Sequence, residues 1–179
     1  MLSIRPKWVE KIASGEKTIE VRKTRPKMNT PFKCYIYCTL PKYPHEDFIA
    51  TDYPRPQFYG GGKVIGEFVC DCITPLYNVC MDDWKRLSGG LHNIEKELVN
   101  QACLTEAKLH TYAGGKNCFA WHISDLLIYD QPRELSEFRR ATDPCDSCHA
   151  EYTWECTGCK KLSGDIKRPP QSWCYVEEG

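Results

Sequence analysis

Met1-Leu-Ser-Ile-Arg5-Pro-Lys-Trp-Val-Glu10-Lys-Ile-Ala-Ser-Gly15-Glu-Lys-Thr-Ile-Glu20-Val-Arg-Lys23 is the stretch from which the fold can be read. Leu2 and Ile4 alternate as a short strand. Pro6 opens a helix, where its missing N–H costs nothing. Trp8, Val9, Ile12 and Ala13 then recur at helical spacing and bury one face. Ser14-Gly15 stops the helix, with Gly15 suited to the left-handed conformation after the last turn. From Thr18 the period is two. Ile19 and Val21 face one side, and Thr18, Glu20 and Arg22 face the other. The segment is strand, helix, strand.

Further along, Lys33–Thr39 is a strand rich in β-formers, after a loop broken by Pro26 and Pro31. Residues 41–62 carry Pro41, Pro44, Pro54, Pro56 and Gly60 to Gly62, a long irregular excursion and a candidate rim or lid. Lys63–Ile73 is near-continuously apolar, as a central strand would be. Asp82–Tyr112 is helical in character and Gly114-Gly115 stop it. Cys118–Ile123 and Leu126–Tyr129 are two more strands, and Glu134–Phe138 is a short helical turn. Short strands with helices in two connections predict an α+β fold: a small mixed β-barrel with flanking helices over residues 1–140. Residues 141–179 form a separate small tail.

The 179 residues carry no net formal charge, yet the charge is unevenly placed. Residues 1–33 hold nine bases and three acids, so the remainder is acidic by six charges. A basic segment on an acidic body suits a phosphate-bearing partner, although a solvated basic helix and strand would look the same. No apolar run approaches the roughly 20 residues of a membrane span, so no membrane partner is expected. The first residues turn charged at once, which predicts no export and a cytoplasmic protein.

Twelve cysteines in such a setting favour metal over disulfides. Cys145-x-x-Cys148 and Cys156-x-x-Cys159 are two knuckles that bring four thiolates around one tetrahedral ion, a structural zinc. Only seven residues separate the pairs, and His149 and Cys174 stand near enough to replace one cysteine. A cluster of thiols without metal is the plainer alternative. Zinc would staple a tail with little core of its own. The scattered histidines form no metal-binding pair, and Gly60-Gly-Gly-Lys63 lacks the spacing of a phosphate loop.

Glu20 and Arg22 sit on one strand face, a carboxylate beside a forked donor, which suits a base edge or a phosphate. Lys17, at the turn before them, can reach over the same face. Taken by spacing alone, Glu20 and Arg22 are an exposed ion pair worth about 0–1 kcal/mol. A binding role for Lys17 predicts salt-sensitive binding that weakens in Lys17→Ala with stability unchanged.

Ser3-Ile-Arg-Pro-Lys-Trp8 followed by Gly15-x-Lys17-x-x-Glu20-x-Arg22 resembles the opening of the ASCH domain, the activating-signal-cointegrator homology family of the PUA-like superfold. Lys63-Val-Ile-Gly-Glu-Phe68 and Phe119-Ala-Trp-His-Ile123 are similar to its central and closing strands, so the resemblance spans residues 1 to about 140. The ending Arg168–Val176 resembles the tails of small phage or prophage members. The resemblance implies a small β-barrel with a cleft that takes RNA or a modified nucleotide. It puts Lys17, Glu20 and Arg22 in that cleft, with Arg5 and Lys23 as nearby phosphate contacts. Tyr43, Tyr53, Phe58 and Tyr59 on the excursion are candidates for base stacking.

One branch of the family hydrolyses N4-acetylcytidine with a lysine, a threonine and a glutamate. Lys17 matches the lysine, but Glu20 stands where the threonine is expected, and Glu95, Glu97 and Glu106 all compete for the third role. Three readings therefore stand. The first is an RNA- or modified-nucleotide-binding module. The second is a hydrolase of N4-acylated cytidine or RNA with Lys17 and Glu20 as its catalytic groups. The third is a zinc-stapled adaptor that takes a protein partner through its tail.

Overall fold

The computed structural model describes residues 1–40, 60–76, 93–141 and 164–179. The described elements run β1 (Leu2–Ile4), α1 (Pro6–Ala13), β2 (Ile19–Arg22), β3 (Phe32–Cys38), β4 (Val64–Cys70) and β5 (Ile73–Leu76). They continue with α2 (Asn93–Gln101), α3 (Glu106–Ala113), β6 (Cys118–His122) and β7 (Ser124–Arg133). A 3-10 turn at Leu135–Glu137, β8 (Phe138–Arg140), β9 (Gly164–Asp165) and β10 (Val176–Glu178) complete the chain.

The opening strand, helix and strand lie where the sequence predicts them. Arg5 O accepts from both Trp8 N and Val9 N, and Pro6, which has no N–H to offer, fills the first turn. Val9 and Ile12 are buried, and Gly15 at φ +76° ends the helix by donating to Ile12 O. Of the 82–112 stretch read as helical in character, residues 82–92 lie outside the described residues, and the remainder holds two helices, α2 and α3. Cys103 breaks them with a left-handed φ of 54°, and Thr105 restarts the chain by accepting from Lys108 N. Gly114, at φ 57°, caps α3 as expected. The long strand expected over 63–73 is likewise two, β4 and β5, and β7 runs further than its apolar core predicts.

The chain divides into two compact units. The first comprises residues 1–10, 34–68 and 127–179. Its four-stranded sheet has the order β1-β3-β4-β7, with β1 and β3 parallel. A parallel pair needs a long connection, and α1 and β2 lie between these strands in the chain. A three-stranded sheet, β10-β8-β9, is antiparallel. Met1, Tyr35, Tyr37, Val64, Phe138 and Ile166 form one core cluster, with the Tyr35 and Phe138 rings 4.9 Å apart. The described part of the C-terminal segment belongs to this unit and lies along β1. Leu2 bridges Trp173, and Ser3 Oγ donates to Pro170 O at 2.6 Å.

The second unit comprises residues 11–33 and 69–126. Its antiparallel sheet has the order β2-β6-β5, so β6 is central. Ile19, Val21, Leu76, Cys118 and Ala120 from the sheet pack on Leu98, Ala102 and Ala113 from the helical region. Burying one strand face in this way fixes the register, because a slip of one residue would turn that face outward.

The mixed α+β class is as expected. Strand pairing among the described residues gives three sheets and no closed ring of strands, so the barrel is not seen there. Most of the 41–62 excursion, with Tyr43, Tyr53, Phe58 and Tyr59, lies outside the described residues.

Candidate nucleic-acid interface

Three charged side chains of the second unit are buried together: Lys17 at 3% exposure, Glu20 at 7% and Arg22 at 8%. The backbone arranges this. After Gly15 turns the chain, Lys17 N donates to Lys11 O at 2.8 Å, and Thr18 N donates to Gln101 O at the end of α2. Lys17 is thereby held beside the link between α2 and α3. Its Nζ donates to Ile19 O at 2.6 Å and to Ala102 O at 2.8 Å, and stands 3.2 Å from Glu20 Oε2. Those three oxygens match the three donors of an ammonium.

The other Glu20 oxygen, Oε1, is 3.1 Å from Arg22 Nη2. One carboxylate therefore bridges two buried cations. The exposed, weak ion pair expected from spacing is corrected here. Tertiary packing closes over β2, and removing one member of a buried network costs far more than removing a surface partner. The expectation that Lys17 reaches over the strand face is corrected as well. Its amine points at protein backbone oxygens.

Arg22 carries the network toward the surface. The Tyr112 phenol, at the end of α3, feels the charge of Arg22. Burial pushes the Tyr112 phenol above its ordinary value; the positive charge of Arg22 pulls it back and the Glu20 charge raises it. Lys23, the next residue, is exposed and its Nζ lies 5.2 Å from the Tyr112 ring centroid. In the sheet register Glu20 stands opposite Trp121 and Arg22 opposite Phe119. Arg25 Cζ is 5.9 Å from the Phe119 ring, and Phe32 meets Trp121 edge to face at 5.7 Å. From Val21 to Lys33 the chain has five cations and no acid, and Lys23, Arg25, Lys27 and Lys33 are all exposed.

Residues 2–86 match the family model of the ASCH domain, a little under half of the chain. That stretch is similar to an ASCH domain. Solved structures agree in fold. The crystal structure of ASCH from Zymomonas mobilis is 20% identical, with a TM-score of 0.51 and coverage of 99% of this chain and 84% of that one. A tyrosine-to-phenylalanine mutant of the same protein is 18% identical, with a TM-score of 0.50 and coverage of 99% and 86%. At such identities the likeness concerns the fold alone. No curated protein matches the chain.

Of the residues expected in the ASCH cleft, Lys17, Glu20 and Arg22 are brought together and Lys23 adjoins them. Arg5 is exposed and belongs to the first unit. Cys145, Cys148, Cys156, Cys159 and His149 lie outside the described residues, and the described residues contain no group of ligands suited to a metal. Cys174 is half-buried against the core of the first unit. Among the described residues, no helix is long and apolar enough to cross a membrane.

Tyr112, Phe119 and Arg25 were not evident as site residues from sequence. Tyr112 carries one signal, an aromatic placed just before the Gly114-Gly115 stop, but nothing local distinguishes it from a core residue.

Proposed function

We propose that this ASCH-like protein binds RNA or a modified nucleotide on the basic surface around Lys17, Glu20, Arg22 and Lys23. The observation that carries the proposal is the buried Lys17–Glu20–Arg22 network, which holds Arg22 beside the exposed cations Lys23 and Arg25. The neighbouring exposed cations supply the long-range attraction to phosphates. The family resemblance, with its cleft for RNA or a nucleotide, supports the same surface. Within this reading Lys17 positions Glu20 and through it Arg22; it does not touch the ligand.

The test is binding of a short labelled single-stranded RNA at two salt concentrations, comparing wild type with Lys23→Gln/Arg25→Gln. Loss of about two phosphate contacts lowers the slope of log affinity against log salt by about 1.4, at roughly 0.7 per contact for single strands. Unchanged affinity and slope in the double variant would remove the surface from consideration.

A further inference from the structure

On the reading of this surface as a nucleic-acid interface, we infer that Tyr112 is a stacking platform for an unpaired base, and that the ligand is single-stranded where it meets the protein. Tyr112 is 39% exposed, one of four large hydrophobic residues among the described residues that stand open in this way. Met28, Leu40 and Leu127 are the others, and none of them is aromatic. Tyr112 lies in the last turn of α3, which Gly114 caps. An exposed tyrosine ring on a helix has only two side-chain torsions to order, so it loses little rotamer entropy when a base settles on it.

The charges around it fit the same ligand. Lys23 Nζ at 5.2 Å from the ring centroid places a cation within reach of the phosphate of a stacked nucleotide. The pairing repeats beside it. Phe119, half-buried and opposite Arg22 in the sheet, has Arg25 at 5.9 Å. Rings interleaved with cations are what a flexible strand requires, since each base presents a π-face and each linkage a charge. A duplex hides its base faces in its own stack and would meet only the cations. Rings interleaved with cations therefore favour a single strand over a double one, although both carry phosphate.

Anisotropy titrations of the full chain test this, using a labelled ten-residue oligouridylate and a labelled RNA hairpin with a fully paired stem. Wild type should bind the single strand more tightly. Tyr112→Ala should weaken the single strand by about tenfold, within the range of one lost base–aromatic stack, and leave the salt slope unchanged. Tyr112→Phe, which keeps the ring, should retain most of the affinity and guards against a folding defect. Lys23→Gln should instead lower the slope by about 0.7. If Tyr112→Ala binds like wild type while Lys23→Gln is weakened, stacking is refuted and the interface stands. If neither variant changes binding, the interface itself is refuted. Equal affinity for strand and hairpin would also overturn the inference.

Discussion

Replacing Lys17 by methionine keeps the unbranched stem out to Cε and deletes the ammonium with its three donors. Nζ has Ile19 O at 2.6 Å, Ala102 O at 2.8 Å and Glu20 Oε2 at 3.2 Å, all at a residue only 3% exposed. The variant strands buried acceptors, each costing about 1–3 kcal/mol when left unsatisfied. Glu20 keeps Arg22 as a partner, which limits the electrostatic part of the loss. The expected destabilisation is about 3–5 kcal/mol, the range for breaking a buried ion pair from one side. At about 2–4 °C per kcal/mol for a chain of this size, the melting temperature should fall by roughly 6–20 °C. Urea unfolding followed by circular dichroism measures it directly. Lys11→Ala is the internal control. Its ion pair with Glu16 is 2.6 Å long but solvent-exposed, and such pairs contribute about 0–1 kcal/mol. A Lys17→Met loss no larger than that of Lys11→Ala would refute the view that the network is a structural clamp. It would also restore the reading in which Lys17 is free to meet a ligand.

Four further outcomes are expected. Burial pushes the Cys38 thiol from its ordinary 9.0 up to about 12, and it raises Tyr35 and Tyr129 above 10.0, helped by hydrogen bonds to Glu178 and Glu67. The folded chain keeps protons that the unfolded chain releases, so stability is full below about pH 9 and declines as pH rises above it; a flat urea midpoint from pH 8 to 11 would contradict this. Alkylation at pH 8, mapped by peptide mass spectrometry, should mark the exposed Cys72 well before the buried Cys38, and equal labelling would show that the Cys38 site is open. In Gly66→Ala the new methyl would press on Leu127 O and lie 3.1 Å from Ile128 Cα, costing about 1–3 kcal/mol in the same urea assay; an unchanged midpoint would mean that β4 and β7 separate easily. Purified protein should carry stoichiometric zinc on Cys145, Cys148, Cys156 and Cys159, measurable by elemental analysis and removable by a strong chelator, and a metal-free, fully folded preparation would dismiss that staple.

Much of this fold was legible in the chain itself, because its signals are local. The Leu2/Ile4 alternation, Pro6 at the first helical turn, Gly15 after the last and the period of two from Ile19 each depend on neighbours a few residues away, and all four are realised. The break between α2 and α3 was not legible. It turns on a left-handed Cys103, a residue with no intrinsic preference for that conformation. The cluster of Lys17, Glu20 and Arg22 was foreseeable as a motif, since all three lie within six residues.

What the sequence determined by itself, then, is which residue types stand at which register, and so which charged groups share a strand. Whether those charges face water or protein was decided only by tertiary structure. Lys17 is buried by an oxygen from Ala102, 85 positions away, and Tyr112 and Phe119 reach Arg22 from a distant helix and strand. Burial depends on contacts between segments far apart in the chain. It converts an ion pair that water would screen into a network held in a medium of low dielectric constant, and no local pattern of residues encodes that difference.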